Sequence, residues 1–176
     1  MKIHRIISKT FAEGPGCRFC IWVQGCPHRC KGCFATDTWD EASGTEYTYT
    51  RINEMLEKIL PETDGITLLG GEPFEPENQR ALLPFVKRVK ETYPNKNIWA
   101  FTGFTLEQLK EKAPHPRCEA TDELLSLIDI LVDGRFEKDK KNLMLKFRGS
   151  SNQRIIDLPK SLAANEIILW DKIDKR

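Results

Sequence analysis

The sequence predicts an α/β fold built on a parallel sheet, and three features of the 176-residue chain lead to that prediction. Short apolar runs alternate with stretches of helical periodicity, which is the order of elements in α/β proteins. The runs are continuously apolar, as expected of strands that are covered on both faces of a parallel sheet. The length is that of a single domain, so residues 1–176 are expected to form one.

Six apolar runs are predicted as strands, and four patterns between them are predicted as helices. The strands are Phe19–Val23, Ile66–Leu69, Ile98–Phe101, Ile128–Val132, Ile155–Leu158 and Ile167–Trp170. Apolar spacing marks two helices around residues 52–59 and 82–89, although Pro84 leaves open where the second one begins. A capping-box pattern at Thr105–Gln108 opens the third helix, and apolar residues around 124–128 mark the fourth.

Four of the predicted strands end in turns that carry glycine. These turns are Gln24–Cys26, Gly70–Glu72, Thr102–Gly103 and Asp133–Gly134. Glycine is common in turns, but in a parallel α/β barrel the carboxyl ends of the strands share one rim, which carries the active site. The four turns therefore predict a shared site. Six strands are too few for a closed eight-stranded barrel, so we expect a partial, incomplete parallel β/α barrel of about six strands, open on one side.

Composition and charge exclude several classes of protein. The 27 Lys and Arg residues balance 26 Asp and Glu residues, without the basic excess of a nucleic-acid binder. No stretch approaches the roughly 20 apolar residues of a membrane span, and the first residues lack a signal-peptide core, so we expect a cytoplasmic protein. Disulfides are rare in that compartment, and the clustering of five of the six cysteines between Cys17 and Cys33 indicates metal or redox chemistry.

Cys26, Cys30 and Cys33 have the spacing C-x3-C-x2-C. Three thiolates in one loop can bind three irons of a [4Fe-4S] cluster. The fourth iron then has no protein ligand, and an open metal position is typical of a catalytic site. A small molecule with amine and carboxylate donors can fill that position. A zinc site with His28 as the fourth ligand is an alternative, although zinc usually binds paired cysteines and histidines.

The cysteine motif and several segments after it resemble the radical S-adenosylmethionine (SAM) superfamily. The cysteine spacing resembles the superfamily signature, and Gly70–Pro73 resembles its GGE motif. Other segments are similar to the activating enzymes of glycyl-radical proteins, namely Gly14–Gly16, Gln24–Pro27 and Asn97–Gly103. Val132–Phe136 and Phe147–Gln153 resemble the family of activating proteins of the anaerobic (class III) ribonucleoside-triphosphate reductase. Pyruvate formate-lyase activases are also similar, but they tend to be longer.

The resemblance implies a partial barrel of the radical SAM type and a radical-generating activity. It implies one [4Fe-4S] cluster, held by Cys26, Cys30 and Cys33, with SAM on the open fourth iron. The enzyme would form a 5′-deoxyadenosyl radical and install a glycyl radical on the large subunit of the reductase. Reduced flavodoxin or a similar protein is the implied electron donor, and neither nucleic acid nor membrane is an expected partner.

The resemblance also implies a set of residues around SAM, some of which have expected roles. Gly70 and Gly71 would let the backbone approach SAM closely, and Glu72 would offer an acceptor to its ammonium group. Phe34 would stack on the adenine or serve in the core. The full set is Gly32, Cys33, Phe34, Gly70, Gly71, Glu72, Thr102 and Asp133. The last two either line the ribose and methionine or cap loops, and no role is assigned to Arg148–Gln153.

The cysteines outside the motif, and the function itself, each allow more than one interpretation. Cys17, Cys20, His115 and Cys118 have the ligand count of a second zinc site, or the cysteines are buried structural thiols. A small iron–sulfur electron carrier is a competing function, although such proteins usually supply four cysteines. Three more functions compete with the reductase activase: an activase of another glycyl-radical enzyme, a radical SAM enzyme acting on a small molecule or peptide, and a zinc-stabilised interaction module.

Overall fold

The structure is a computed structural model that describes residues 1–48, 50–111, 113 and 115–171. Its strands are β1 (Lys2–Thr10), β2 (Arg18–Val23), β3 (Thr45–Glu46), β4 (Gly65–Gly70), β5 (Asn97–Phe101), β6 (Ile130–Asp133) and β7 (Arg154–Asp157). Its helices are α1 (Thr50–Glu57), α2 (Pro76–Thr92), α3 (Leu106–Lys110), α4 (Thr121–Leu127) and α5 (Leu158–Ala164). None of these helices is long and apolar enough to cross a membrane.

The strands form one open sheet in the order β3-β1-β2-β4-β5-β6-β7. The four middle strands, β2, β4, β5 and β6, run parallel to one another. Strands β1 and β7 pair antiparallel with β2 and β6, and β3 pairs antiparallel with β1. Because parallel strands end on the same side, the four predicted glycine turns all follow the middle strands at one edge of the sheet.

The predicted order of strands and helices is confirmed for the middle of the chain, and the two ends differ. The run Ile155–Leu158 does form a strand, but it pairs antiparallel with β6, and its last residue already begins α5. The run Ile167–Trp170 makes a single bridge between Leu169 and Ile156 rather than a strand. Strand β1 was not predicted, because an antiparallel strand near the sheet edge carries charged residues and lacks a continuous apolar run.

The helices pack against one face of the sheet. The large core on that face joins alternate strand residues such as Ile21, Leu68 and Ala100 to apolar residues of α1–α5. The intervening strand residues face the other side and form two small clusters, one around Trp22 and Leu69 and the other around Trp99, Val132 and Ile155. This second face is covered by loops, which leaves room there for a cavity.

Helix α3 is held at its start by its own cap and by the neighbouring strands. The predicted capping box is present, since Thr105 Oγ1 accepts from the Gln108 N–H at 3.3 Å and Gln108 Oε1 accepts from the Thr105 N–H at 2.9 Å. Asp133 Oδ2, at the end of β6, accepts from the Leu106 N–H at 2.8 Å. Arg154 of β7 bridges Asp133 and Glu107, and its hydrogen bonds lower the pKa of Glu107 to about 2.

The ion pair of Glu107 with Arg154 predicts a pH-dependent contribution to stability. Glu107→Gln should lower the free energy of unfolding at pH 7 by less than about 1 kcal/mol, because the pair is partly exposed and water screens it. The folded pKa lies below the ordinary value of 4.5, so the contribution is complete above pH 4.5 and disappears as the pH falls toward 2.

Urea unfolding of both proteins across this pH range measures the difference. The matched control is Glu57→Gln, an exposed glutamate at the end of α1, whose difference from wild type should not vary in this way. A Glu107→Gln difference that stays constant down to the acid end of the range would contradict the assignment.

Candidate functional site

An open cavity of about 430 Å³ lies at the carboxyl ends of the parallel strands. Its walls come from the turns after those strands, from the chain between β6 and β7, and from the segment Gly25–Phe34, called the cysteine loop below. The predicted site residues on these walls are Cys26, Cys30, Cys33, Phe34, Gly70, Gly71, Glu72 and Thr102. The structure therefore brings residues from four distant parts of the sequence to one site.

Backbone N–H groups lie near the sulfurs of the cysteine loop. Those of His28 and Arg29 lower the pKa of Cys26, and that of Phe136 lowers the pKa of Cys30, against the larger effect of burial. The Ala35 N–H donates to Cys33 Sγ at 3.4 Å. Such donors stabilise thiolates and tune iron–sulfur clusters, so this arrangement suits sulfur ligands of a cluster.

Burial makes two of these thiols weak acids as long as no metal binds them. It raises the pKa of Cys26 to about 11, with the nearby carboxylate of Glu72 adding to the effect. Burial also raises the pKa of Cys30. Iron ligation requires the thiolate, so cluster loading is expected to release protons from the loop.

Among the described residues, no three His, Cys, Asp or Glu side chains converge closely enough to hold a single metal ion. A [4Fe-4S] cluster binds each cysteine through a different iron, so its ligands need not converge on one point. A single zinc ion needs converging ligands, so the zinc alternative in the cysteine loop is wrong for the described residues. His28 Nε2 lies 2.7 Å from Glu72 Oε2, and its buried Nδ1 has no partner among those residues.

The second zinc site is also wrong, because its four residues lie at opposite ends of the parallel strands. Cys17 and Cys20 lie at the start of β2, where Cys20 Sγ is 4.0 Å from Glu13 Oε2. Cys118 Sγ is 3.8 Å from the carbonyl of Pro76, beyond the opposite end of β4. Burial, with Glu13 adding to it, raises the pKa of Cys20 to about 12, as expected of an inert structural thiol.

The Gly70–Glu72 turn packs against the base of the cysteine loop. The Gly71 N–H donates to the Val23 carbonyl at 2.8 Å, and the Glu72 N–H donates to the Gly25 carbonyl at 2.7 Å. A Cβ atom on Gly71 would lie 2.2 Å from the Gly25 carbonyl oxygen. The sequence predicts that the backbone of Gly71 approaches SAM closely. In the structure, the neighbour that leaves no space for a side chain at this position is Gly25.

The carboxylate of Glu72 is buried and fully hydrogen-bonded. Oε1 accepts from the Phe74 N–H and from Thr102 Oγ1, both at 2.8 Å. Oε2 accepts from the Gly103 N–H at 2.8 Å and bonds to His28 Nε2 at 2.7 Å. The sequence predicted an acceptor for a ligand at Glu72, but its oxygens are occupied by four groups of the protein. The Thr102 hydroxyl is likewise used, because it also accepts from the Phe104 N–H at 3.1 Å.

Of three other predicted SAM contacts, Phe34 lines the cavity, whereas Gly32 and Asp133 do not. Phe34 lines the cavity but is 84% exposed, and its ring meets the edge of Trp22 with centroids 6.2 Å apart. Gly32 does not line the cavity, since the side chain of Lys138 lies against it. Asp133 does not line the cavity either, because its carboxylate binds Arg154 and the Leu106 N–H at the start of α3. The structure thus gives Gly32 a contact other than the predicted one, whereas Asp133 accepts from the first N–H of α3, which matches the alternative that it caps a loop.

The chain between β6 and β7 supplies wall residues that sequence reasoning left without a role. Phe136, Phe147, Arg148 and Gln153 all line the cavity. Gln153 braces the segment, because its Oε1 accepts from the Gly149 N–H at 2.8 Å and its Nε2 donates to the Gly134 carbonyl at 3.0 Å. Arg148 Nη1 donates to the Gln153 carbonyl at 2.9 Å, while its buried Nε has no partner within the described part of the chain.

Comparison with known proteins gives a family match over most of the chain. The family model described as "4Fe-4S single cluster domain" matches residues 12–156. That range includes the cysteine loop, all four parallel strands and the chain that completes the cavity wall.

Several curated relatives carry the same name, anaerobic ribonucleoside-triphosphate reductase-activating protein. The one from Vibrio cholerae serotype O1 is 38% identical over 162 residues, covering 88% of this chain and 97% of the relative. The one from Enterobacteria phage T4 is 35% identical over 156 residues, covering 88% and 93%. The one from Pasteurella multocida is 39% identical over 146 residues, covering 81% and 89%.

The contact between Gly71 and Gly25 predicts that Gly71→Ala impairs cluster binding. The added methyl group would displace the base of the cysteine loop, so iron bound after anaerobic reconstitution should fall below about half of the wild-type amount. Iron and acid-labile sulfide per chain are the measurements, with circular dichroism to establish that the variant is folded.

Gly65→Ala is the matched control, because Gly65 lies at the opposite end of the same strand, β4, and does not line the cavity. Its added Cβ would lie 2.2 Å from the Asn97 carbonyl oxygen, so the clash is as close as that of Gly71→Ala but remote from the cysteine loop. This variant should bind iron as the wild type does. Wild-type loading of Gly71→Ala would contradict the proposed contact.

Proposed function

Because the chain belongs to the family of anaerobic ribonucleoside-triphosphate reductase-activating proteins and carries the 4Fe-4S single cluster domain, we propose that it is a radical SAM activase. It uses one [4Fe-4S] cluster and SAM to install a glycyl radical on the large subunit of the reductase. The observation that carries the proposal is the position of Cys26, Cys30 and Cys33 on one wall of a cavity that the strand ends complete.

The residues of the cavity fit both cofactors. The three cysteines hold the cluster, and each sulfur lies near a backbone N–H. The volume of about 430 Å³ falls within the range of small-molecule sites. Of the predicted SAM contacts, Cys33, Phe34, Gly70 and Gly71 lie on the wall and are kept in the proposal. Arg148 adds a guanidinium whose unpartnered Nε suits a carboxylate such as that of SAM.

Cys26, Cys30 and Cys33 would hold the cluster, and the reduced cluster would supply one electron for cleavage of SAM to methionine and a 5′-deoxyadenosyl radical. Transfer of a hydrogen atom from the glycine Cα to this radical would give 5′-deoxyadenosine and the glycyl radical. The protein positions the two cofactors and limits side reactions of the radical. Leu69, Phe101, Phe136 and Phe147 give the cavity an apolar wall, which excludes water from the reacting atoms.

The fold supports access for a protein substrate. Helices cover one face of the open sheet and the cavity lies beside the other, which supports the proposal of a partial barrel. Phe34 is exposed at the cavity wall, so a loop of the reductase that carries the glycine can reach the site. Reduced flavodoxin or a similar protein is the proposed electron donor. We place the reaction in the cytoplasm, where a reducing environment preserves free thiols.

Electron paramagnetic resonance tests this proposal. The protein is reconstituted anaerobically with iron and sulfide, reduced, and mixed with SAM and the large subunit of the reductase. A stable glycyl-radical doublet on the large subunit is the expected result. Formation of 5′-deoxyadenosine without that doublet would mean a different partner, such as pyruvate formate-lyase. A loaded, reducible cluster that cleaves no SAM would refute the activase and favour an electron carrier.

Two cysteine variants test the ligand assignment. Cys26→Ala should abolish the doublet and reduce cluster content, because one of three iron ligands is lost. Cys118→Ala is the matched control, since its sulfur lies near Pro76 and α4 rather than on the cavity wall. It should retain wild-type iron, sulfide and radical yield. Loss of the cluster in Cys118→Ala, or its retention in Cys26→Ala, would contradict the assignment.

A further inference from the structure

We propose that the Gly70–Gly71–Glu72 turn acts on the cysteine loop, and that Glu72 is a positioning residue that works through His28 rather than a ligand of SAM. This inference rests on the proposed function, because it concerns the geometry of the cluster that the loop binds. It assigns to His28 a role that the cysteine spacing does not suggest.

The carboxylate of Glu72 has no free acceptor position for a ligand. A carboxylate offers about four lone-pair positions, and four donors of the protein already occupy them. The side chains of His28 and Glu72 are only 3% and 1% exposed. An ammonium group of SAM would have to displace one of these donors and leave it unpaired in a buried site. The contact with His28, at 2.7 Å, is the one that reaches the cysteine loop.

The ring of His28 is fixed on several sides. Its Nε2 is bonded to Glu72, and its ring meets the edge of Phe104 with centroids 4.4 Å apart. Gly103 leaves just enough space for it, since a Cβ atom there would lie 2.3 Å from His28 Cδ2. His28 is the second residue after Cys26 in the cysteine loop. Fixing the ring of His28 therefore restrains the backbone next to a cluster ligand.

The Gly70–Gly71–Glu72 turn holds the cysteine loop on both sides of Cys26. On one side, the Glu72 N–H donates a hydrogen bond to the Gly25 carbonyl, and Gly71, which has no side chain, lies against the same carbonyl. On the other side, the Glu72 carboxylate holds His28. Two attachments that flank a ligand define its position better than either does alone. The same carboxylate also binds Thr102 and Gly103 at the end of β5. The cysteine loop is therefore attached to the ends of two strands, β4 and β5.

The test compares Glu72→Gln, His28→Phe and the double variant, each reconstituted anaerobically. Glu72→Gln keeps the shape of the side chain, and His28→Phe keeps a ring against Phe104 but removes the donor. The readouts are the iron content, the electron paramagnetic resonance spectrum of the reduced cluster without SAM, and the SAM concentration that half-saturates the spectral change. None of these depends on the reductase.

The expected result is that both single variants alter the cluster spectrum before SAM is added. The double variant should resemble the single ones, because residues acting as one unit are not additive. In both single variants, the affinity of the cluster-loaded protein for SAM should fall, and the two losses should agree within about threefold. His28→Gln, which retains a donor, should restore the spectrum toward that of wild type. His115→Phe is the matched control, since its ring also meets the edge of Phe104, with centroids 5.5 Å apart, but it bonds to Glu75 rather than to Glu72.

Two results would overturn the inference. If Glu72 binds SAM, Glu72→Gln will keep the wild-type spectrum without SAM and lose affinity by about tenfold or more, while His28→Phe keeps that affinity. If His28 only packs, His28→Phe will match the wild type in every readout. A wild-type protein that loads no cluster would overturn the proposed function and this inference together, whereas the two preceding results would overturn the inference alone.

Discussion

The buried carboxylate of Glu72 joins three segments that are far apart in the sequence. It binds the cysteine loop through His28, the end of β5 through Thr102 and Gly103, and its own turn through Phe74. A buried carboxylate is stable only when its oxygens are hydrogen-bonded, so these contacts depend on one another. The site is thus assembled around an acidic group that is paired entirely within the protein.

The two faces of the sheet have different roles in the fold. Side chains that alternate along the strands send one set into the helical core and the other toward the cavity and its loops. Strand β2 shows the division, because Ile21 belongs to the helical core while Trp22 belongs to the opposite cluster. A rigid core on one face therefore carries the strand ends, and irregular chain on the other face supplies the polar contacts of the site.

The surroundings of each thiol, rather than the residue type, separate the cysteines. Cys26, Cys30 and Cys33 lie on the cavity wall, where a cluster can reach their sulfurs. Cys20 is fully buried beside the carboxylate of Glu13 and does not line the cavity. Burial raises the pKa of Cys26 and Cys30 as well as that of Cys20, so access to the cavity, rather than thiol acidity, distinguishes the two kinds of cysteine.

The sequence by itself determined the features that depend on local pattern. These are the parallel middle strands, the capping box of α3, the three-cysteine spacing and the convergence of four strand-end turns. Tertiary structure decided what depends on distant contacts. The direction of β7 is set by its pairing with β6, and the roles of Asp133 and Gly32 are set by Arg154 and Lys138. The contact of His28 with Glu72 spans 44 residues, and no local period encodes such a pair.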